Sequence, residues 1–296
     1  MNARAQIRLL PDDRRLHLHD GPIDIVLQAW GSSHSIEDAY RAAATRFSTI
    51  LDELCTELTL LRKPFPQDSE WPHGRVARRM TAAVMPYAAR YFITPMAAVA
   101  GAVAEEILSA MLSAADLSRA YVNDGGDIAL YLCKGEKFEI GMIDRPDRPS
   151  LFGTTTVTSA DRIRGIATSG WRGRSFSFGI ADAVTVLADH APAADAAATI
   201  IANAVDLPGH SAILRIPACD LAPDSDLGSR PVTQAVGELS APQIDEALAR
   251  GRQTAALLLK IGLIRAAALH LRGETRVIAE LQPDTAVQPE RKLVNA

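Results

Sequence analysis

Cysteine is scarce in this 296-residue chain. Cys55, Cys133 and Cys219 are scattered, odd in number and never spaced Cys-x-x-Cys, which excludes a disulfide framework and a cysteine zinc site and fits a reduced, cytoplasmic setting. Positive charge is not in excess: 31 Lys and Arg face 35 Asp and Glu, for a net charge of -4. No basic block is longer than "RVARR" at 75–79, so nucleic acid is not an expected partner. Long apolar runs are missing as well. "FITPMAAVAGAVA" (92–104) is broken by Pro95 and stopped by Glu105-Glu106, short of a bilayer span, and "MNARAQIRLLPDD" has neither a signal-peptide core nor a lipobox-like cysteine. No membrane partner is expected. The chain also has no Gly-x-Ser-x-Gly elbow, His-Glu-x-x-His motif, Rossmann fingerprint or Walker A loop.

What is present is 48% apolar residues, enough for a sizeable core in one domain over 1–296. Alternation predicts strands at 6–10, 15–20 and 23–30. A long helix follows from an N-cap at Ser35, carries Ala43, Phe47, Ile50, Leu54 and Leu58 on its apolar side, and ends before Pro64. A proline-rich loop (63–74) and two helices (75–91 and 96–115) come next. "RAYVNDGGDIALYLC" (119–133) reads as strand, Gly-Gly turn, strand, and further strands fall at 137–144 and 153–159 with "RPDRPS" between them. The segment 165–189 reads as strand, Gly-rich loop, strand. A helix at 193–205 and a strand at 211–217 lead to an acidic loop (222–231), a long helix from 242 to about 270, a last strand at 276–281 and a disordered tail at 282–296. One internal echo joins "TPMAAVAGAVAEEIL" (94–108) to "APAADAAATIIANAV" (191–205), small-residue helices that each start at a proline.

Three stretches carry candidate chemistry. Asp195 and Thr199 are four residues apart, hence on one helix face, with Asp195 expected in the first turn after Pro192. One reading makes Asp195 a capping acid and Thr199 a hydroxyl bonded back to a carbonyl one turn earlier. The other makes them two oxygen ligands of one hard cation. Asn123, Asp124, Gly125, Gly126 and Asp127 form either a plain hairpin turn or a loop where backbone approaches a ligand. Thr168, Ser169, Gly170, Arg172, Gly173, Arg174 and Ser175 could hold phosphate through amides and guanidinium, or form a solvated turn. His17 and His19 share one side of a strand without an evident third ligand, and His34, His73, His190, His210 and His270 are isolated.

In order, "YVNDGGDI", "ATSG", "ADAVTVLA" and "ADAAAT" resemble the ApbE-like FAD:protein FMN transferase superfamily, with "MAAVAGAVAE" (96–105) similar to the family's earlier helix. The whole chain, with "SFSFGIADAVTV" and "GSRPVT", looks closer to an uncharacterised cytoplasmic branch of it. The resemblance implies an α/β (α+β) fold of two pseudo-similar halves with mixed sheets and a cleft between them. The motif region then spans about 90–210, after N-terminal strands and a long helix (1–64) and before a C-terminal helix and strand (240–281).

It further implies Mg2+ held by Asp195, Thr199 and a backbone carbonyl at Ala98. FAD or FMN would be the cofactor, lined by 123–127 and by Thr168, Ser169, Gly170, Arg172 and Arg174, with Asp182 as candidate base. The chain departs from the transferases at 178–183, where Phe-Gly-Ile-Ala-Asp-Ala stands in place of His-Ile-x-Asp-Pro, and at "VAGAVA" (99–104), which lacks the family's lysine. Group transfer or FAD hydrolysis, a non-catalytic flavin or cofactor binder, and an enzyme on an unrelated small anionic substrate are the functions this leaves, with homo-oligomerisation open.

Overall fold

The computed structural model describes residues 4–64, 71–143 and 151–279. Three strands open the chain: Gln6–Leu9 (β1), Leu16–Asp20 (β2) and Ile23–Trp30 (β3). Their alternation is used as expected, with Leu18, Ile25 and Leu27 fully buried on one face. Helix α1 (Ser33–Leu61) starts earlier than predicted. Ser32 is its N-cap, and Ser35 is the capped residue, donating its amide to Ser32 Oγ at 3.1 Å. Helix α2 (Arg75–Val84) gives way to a 3-10 turn, Met85–Tyr87, at Pro86. A second 3-10 turn, Pro95–Ala98, runs straight into α3 (Val99–Ala114).

The helix expected at 96–115 continues through Glu105-Glu106, where the apolar run stops, to Ala114. Pro95–Ala114 is long and apolar enough to cross a membrane by length and composition, but half of it is buried inside the protein. Gly101, Ala102, Val103, Ala104, Ile107 and Met111 lie in its buried part.

Strands Arg119–Asp124 (β4) and Asp127–Leu132 (β5) form the Gly-Gly hairpin. Lys137–Ile143 (β6) and Leu151–Thr158 (β7) form a separate hairpin, and the expected "RPDRPS" turn lies outside the described residues. Gly165–Ser169 (β8), Ala183–Ala188 (β9) and Ala191–Ala204 (α4) follow. Beyond β10 (Ile213–Pro217) come two elements the sequence reading had placed in loop: α5 (Ala218–Leu221) and β11 (Pro231–Val236), which pairs with β10.

Helix α6 is Ala241–Lys260, ten residues shorter than predicted. Gly262 (φ +75°) ends it in a Schellman motif, where Leu263 N–H donates to Leu258 O at 2.9 Å and Gly262 N–H to Leu259 O at 3.0 Å. His270 therefore lies on a strand, β12 (Ala266–Leu271), which turns at Arg272-Gly273 into β13 (Glu274–Ala279). The predicted tail at 282–296 lies outside the described residues.

Nine strands make one sheet in the order β1-β2-β3-β4-β5-β8-β9-β12-β13, antiparallel at every pairing. The order exposes two similar halves. In β2–β5 one hairpin is followed by helices α1 to α3 and then by a second hairpin. In β8, β9, β12 and β13 the helices between the hairpins are α4 and α6. The inserted helices cover one face. Phe47, Ile50, Met80 and Ile107 pack with Leu18, Ile25 and Val122 over the first half, and Ile201 and Leu248 pack with Val184, Val186 and Leu269 over the second. On the opposite face Val157 of β7 packs with Leu130, Leu132 and Ile166.

The halves join where β5 pairs with β8 at Ile128↔Ile166 and Ala129↔Gly165, and where α3 crosses α4. That crossing needs glycine. A Cβ at Gly101 would stand 2.5 Å from the Ala191 carbonyl oxygen and 2.8 Å from Pro192 Cα. Gly101→Ala is therefore expected to lower stability by about 1–3 kcal/mol through overpacking. Denaturant unfolding measures this, and an unchanged midpoint would rule out the close crossing.

Candidate functional site

The two hairpin turns nearest the junction are built alike. Gly125 (φ +63°) and Gly126 (φ +114°) link β4 to β5, as Arg272 (φ +52°) and Gly273 (φ +86°) link β12 to β13. In the first turn Asn123 Oδ1 accepts the Gly126 amide at 2.8 Å, so Asn123 shapes the turn. The Arg174 guanidinium lies directly on Gly125, in space a side chain would fill. Asp124, 4% exposed, faces the helix layer and accepts the Asp24 amide at 3.3 Å. Past Ile128↔Ile166 the strands part: the Thr168 amide turns to Asp127 Oδ1 (3.3 Å), and the Thr168 hydroxyl pairs with that of Thr185 at 2.9 Å. Ser169 is half-buried at the end of β8.

Helices α3 and α4 lack side-chain caps of their own, because Ala98 and His190 stand at their N-cap positions and neither makes a side-chain cap bond. Each borrows a carboxylate from the other. Asp195 Oδ2 of α4 accepts the Gly101 amide at 3.0 Å, and Glu105 Oε2 of α3 accepts the Ala191 amide at 3.2 Å. Asp195 thus caps α3 rather than its own helix, and it sits in the second turn of α4, since the helix begins at Ala191.

Glu105 is braced by Arg79 Nη1 at 2.5 Å and by His190 Nδ1 at 3.6 Å. Burial works against its charge, but His190, Arg79 and the Ala191 amide outweigh burial and hold its pKa below the ordinary value. Next to it Glu106, 1% exposed, takes Arg46 (2.9 Å), Arg75 and Arg79 (3.3 Å each). Two arginines of the "RVARR" block therefore pair with α3 acids.

Three aspartates here are raised: Asp124 and Asp195 raise Asp127, and Asp124 raises Asp195. Desolvation is the largest cause for each. It pushes Asp195 up to about 7 against the Gly101 and Ala100 amides, with Asp124 adding to the rise. It pushes Asp124 up to about 7 against the Asp24 amide and Arg174. Asp127 is raised well above the ordinary value by burial and by both other carboxylates, against the Thr168 amide and Arg174.

One turn beyond Asp195, the Thr199 hydroxyl makes no hydrogen bond among the described residues. Thr45, Thr81 and Thr254 instead bond back along their helices, to Arg41 O, Ala77 O and Arg250 O, while the exposed Thr59 of α1, like Thr199, makes no such bond among the described residues. The predicted carbonyl donor Ala98 is fully buried at the junction of the Pro95–Ala98 turn with α3. Among the described residues no group of three His, Cys, Asp or Glu could hold a metal. One carboxylate, one hydroxyl and one carbonyl are a different donor set, and all three are oxygens suited to a hard cation.

The remaining predicted residues divide. Gly170 is buried against backbone, since a Cβ there would stand 2.6 Å from the Asp182 carbonyl oxygen, while Gly173, Arg174 and Ser175 are exposed. Asp182, 3% exposed, is engaged on both oxygens. Oδ1 accepts Arg172 Nε at 2.7 Å and Trp171 Nε1 at 3.2 Å, and Oδ2 accepts the Arg272 amide at 2.7 Å. The Arg172 guanidinium also stacks 4.3 Å over Trp171. Asp182 thus fastens the 170–174 loop to the second hairpin turn.

Sequence reasoning missed Gly101, Glu105, Trp171 and Arg272. The internal echo at 94–108 and 191–205 was the one signal that could have paired the two helices. His17 and His19 converge on Asp24 at 2.6 and 3.5 Å, and His17 Nδ1 accepts Arg8 Nε at 3.1 Å.

A protein-family model described as "AbpE bacteria" matches residues 7–277. Curated relatives carry the name UPF0280 protein, which states no activity. That of Methanococcoides burtonii is 40% identical over 122 residues, covering 41% of this chain and 49% of the relative. That of Methanothrix thermoacetophila is 35% identical over 150 residues (50% and 59%), and that of Methanopyrus kandleri 31% identical over 181 residues (61% and 69%). In these alignments the chain spans about half to two thirds of each relative's length.

The Asp182 anchor is open to test. Asp182→Ala leaves Arg172 and the Arg272 amide without their acceptor and is expected to lower stability by about 3 kcal/mol. Wild-type unfolding midpoints in that variant would overturn the anchoring role.

Proposed function

The chain belongs to the AbpE bacterial family, which is ApbE-related, and on that premise we propose that it binds Mg2+ together with a flavin or another phosphorylated cofactor. The activity that follows is group transfer or FAD hydrolysis. One observation carries the reading: a half-buried carboxylate, Asp195, and the Thr199 hydroxyl one helical turn away, which has no protein partner among the described residues, occupy the same helix face, and two further aspartates, Asp124 and Asp127, are raised as well. Three carboxylates raised chiefly by desolvation are a poor arrangement for folding alone, and such perturbed groups gather at functional sites.

The residues fit a hard cation. Asp195, Thr199 and the Ala98 carbonyl would hold it, and when bound it would neutralise phosphate oxygens and polarise the phosphorus for attack. The protein's own part is to orient. The lack of a side chain at Gly125 makes room for Arg174, whose guanidinium lies on that glycine and would meet a phosphate there. Thr168 and Ser169 line the opening between β5 and β8. In transfer, an acceptor hydroxyl oxygen would bond to the FMN phosphorus and lose its proton to solvent, while the bond from that phosphorus to the bridging oxygen would break and AMP would leave carrying the bridging oxygen. A second reading, a non-catalytic flavin or cofactor binder, is favoured by Asp182: the acid suited by sequence to take the acceptor's proton is held by three donors.

FAD is expected to raise the thermal midpoint only when Mg2+ is present, and Asp195→Asn, which can still cap Gly101 but carries no charge, is expected to raise the Mg2+ concentration needed by about tenfold or more. Release of AMP and FMN separates the transfer reading from the binder reading. The pH dependence has a definite sign. Between about 4 and 7 the folded protein holds protons on Asp195 and Asp124 that the unfolded chain has lost, so metal-free stability from these groups falls as pH rises through that window. Mg2+ must displace those protons, so its apparent affinity is expected to fall as pH drops below about 7 and to level off above it. A Mg2+ response that is the same at pH 5.5 and 8, or the same in Asp195→Asn, would defeat the reading.

A further inference from the structure

The acidic loop at 222–231 is a second point where distant chain segments meet, and it bears on the turn that leads into α3. Thr94, 2% exposed, stands at the N-cap position of the Pro95–Ala98 turn, yet its side chain makes no cap bond to that turn. Its hydroxyl donates instead to Asp226 Oδ2 at 2.5 Å. Asp226 makes no ion pair among the described residues, so the Thr94 hydroxyl is the partner that orders its carboxylate. Two residues before Thr94, the Phe92 ring lies 3.4 Å beneath the Arg230 guanidinium from the same loop. The loop is closed by the Cys219 amide, which donates to Gly228 O at 2.9 Å, and it carries an exposed ion pair of little weight, Asp224 to Arg62 Nη2 at 2.8 Å.

We infer that the 222–230 loop is a strap that sets the Pro95–Ala98 turn, and that Asp226 is a positioning residue for the cation site through Thr94. The inference rests on the proposed cation reading, because the Ala98 carbonyl is one of its donors. The physical ground is local. A 3-10 turn is held by few hydrogen bonds, here Ala97 N–H to Thr94 O at 3.1 Å, so its carbonyl directions follow whatever fixes its first residue. Thr94 is fixed by a charge-assisted bond from outside the turn. Removing the acceptor leaves a buried hydroxyl unpaired and frees the turn's first residue.

The test uses the full chain with two readouts: amide hydrogen exchange at 97–101 in chelator, and the Mg2+ concentration giving half of the FAD-dependent thermal stabilisation. Asp226→Ala is expected to speed exchange there and to raise the Mg2+ midpoint by about tenfold, the usual effect of losing an outer partner of a metal site. Thr94→Val, nearly isosteric, is expected to do the same should Asp226→Ala fold poorly. Asp226→Asn keeps an acceptor and is expected to restore both readouts to within about twofold. Asp224→Ala, at an exposed ion pair, is expected to change neither.

Unchanged exchange at 97–101 in both Asp226→Ala and Thr94→Val would overturn the strap. Faster exchange with an unchanged Mg2+ midpoint would overturn the positioning role. A wild-type chain with no Mg2+ response at all would instead count against the cation reading, and would remove this inference with it while the exchange arm still reported on the turn.

Discussion

Two helix N-termini meet at Gly101 and Ala191, and each takes its cap from a carboxylate on the other helix. This reciprocal arrangement fixes α3 against α4 more tightly than packing of alanine faces alone could. Small side chains give close approach but little specific register. The crossing aligns Asp195 with Gly101 and Glu105 with Ala191, so the register is set by two charge-assisted hydrogen bonds and one obligatory glycine. The first half of the chain uses the same device once more, where Glu57 of α1 accepts the His73 and Gly74 amides at the start of α2. In each case the donors at a helix start are satisfied by an acid from a neighbouring helix.

The consequence is electrostatic. Glu105 is surrounded by cations, which keep it charged and make its cap structural. Asp195 has no such partner; Asp124 raises it, and both raise Asp127. The two caps are geometrically alike and electrically opposite. One resolves its charge inside the protein. The other has no cation beside it within the protein, which is why the junction of the two halves is the candidate site.

Local patterns made much of this legible. The Gly-Gly hairpin at 124–127, the helix carrying Asp195 and Thr199, and the strand ending at Ser169 follow from turn chemistry and periodicity within a few residues of sequence. The stop of α6 at Gly262 was also written locally, but the apolar run of the following strand hid it by continuing the helical pattern to His270. Strand β11 was hidden by its setting beside an acidic, Gly- and Pro-containing loop. The trans caps and the Asp182 anchor were not legible, because each joins residues 80 to 100 positions apart or closes on a backbone amide that no side-chain pattern marks. Asp182 read as a candidate base through the family resemblance, and folding supplied it with three donors.

The account is tested most directly by diffraction from crystals soaked in Mn2+, an anomalous scatterer that takes Mg2+ sites. The expected result is a peak bonded by the Asp195 carboxylate and the Thr199 hydroxyl, with the Gly101 amide still on Asp195. Absence of density there at saturating Mn2+, or a peak at His17, His19 and Asp24 instead, would contradict the claim that the α3–α4 junction is built to receive a cation.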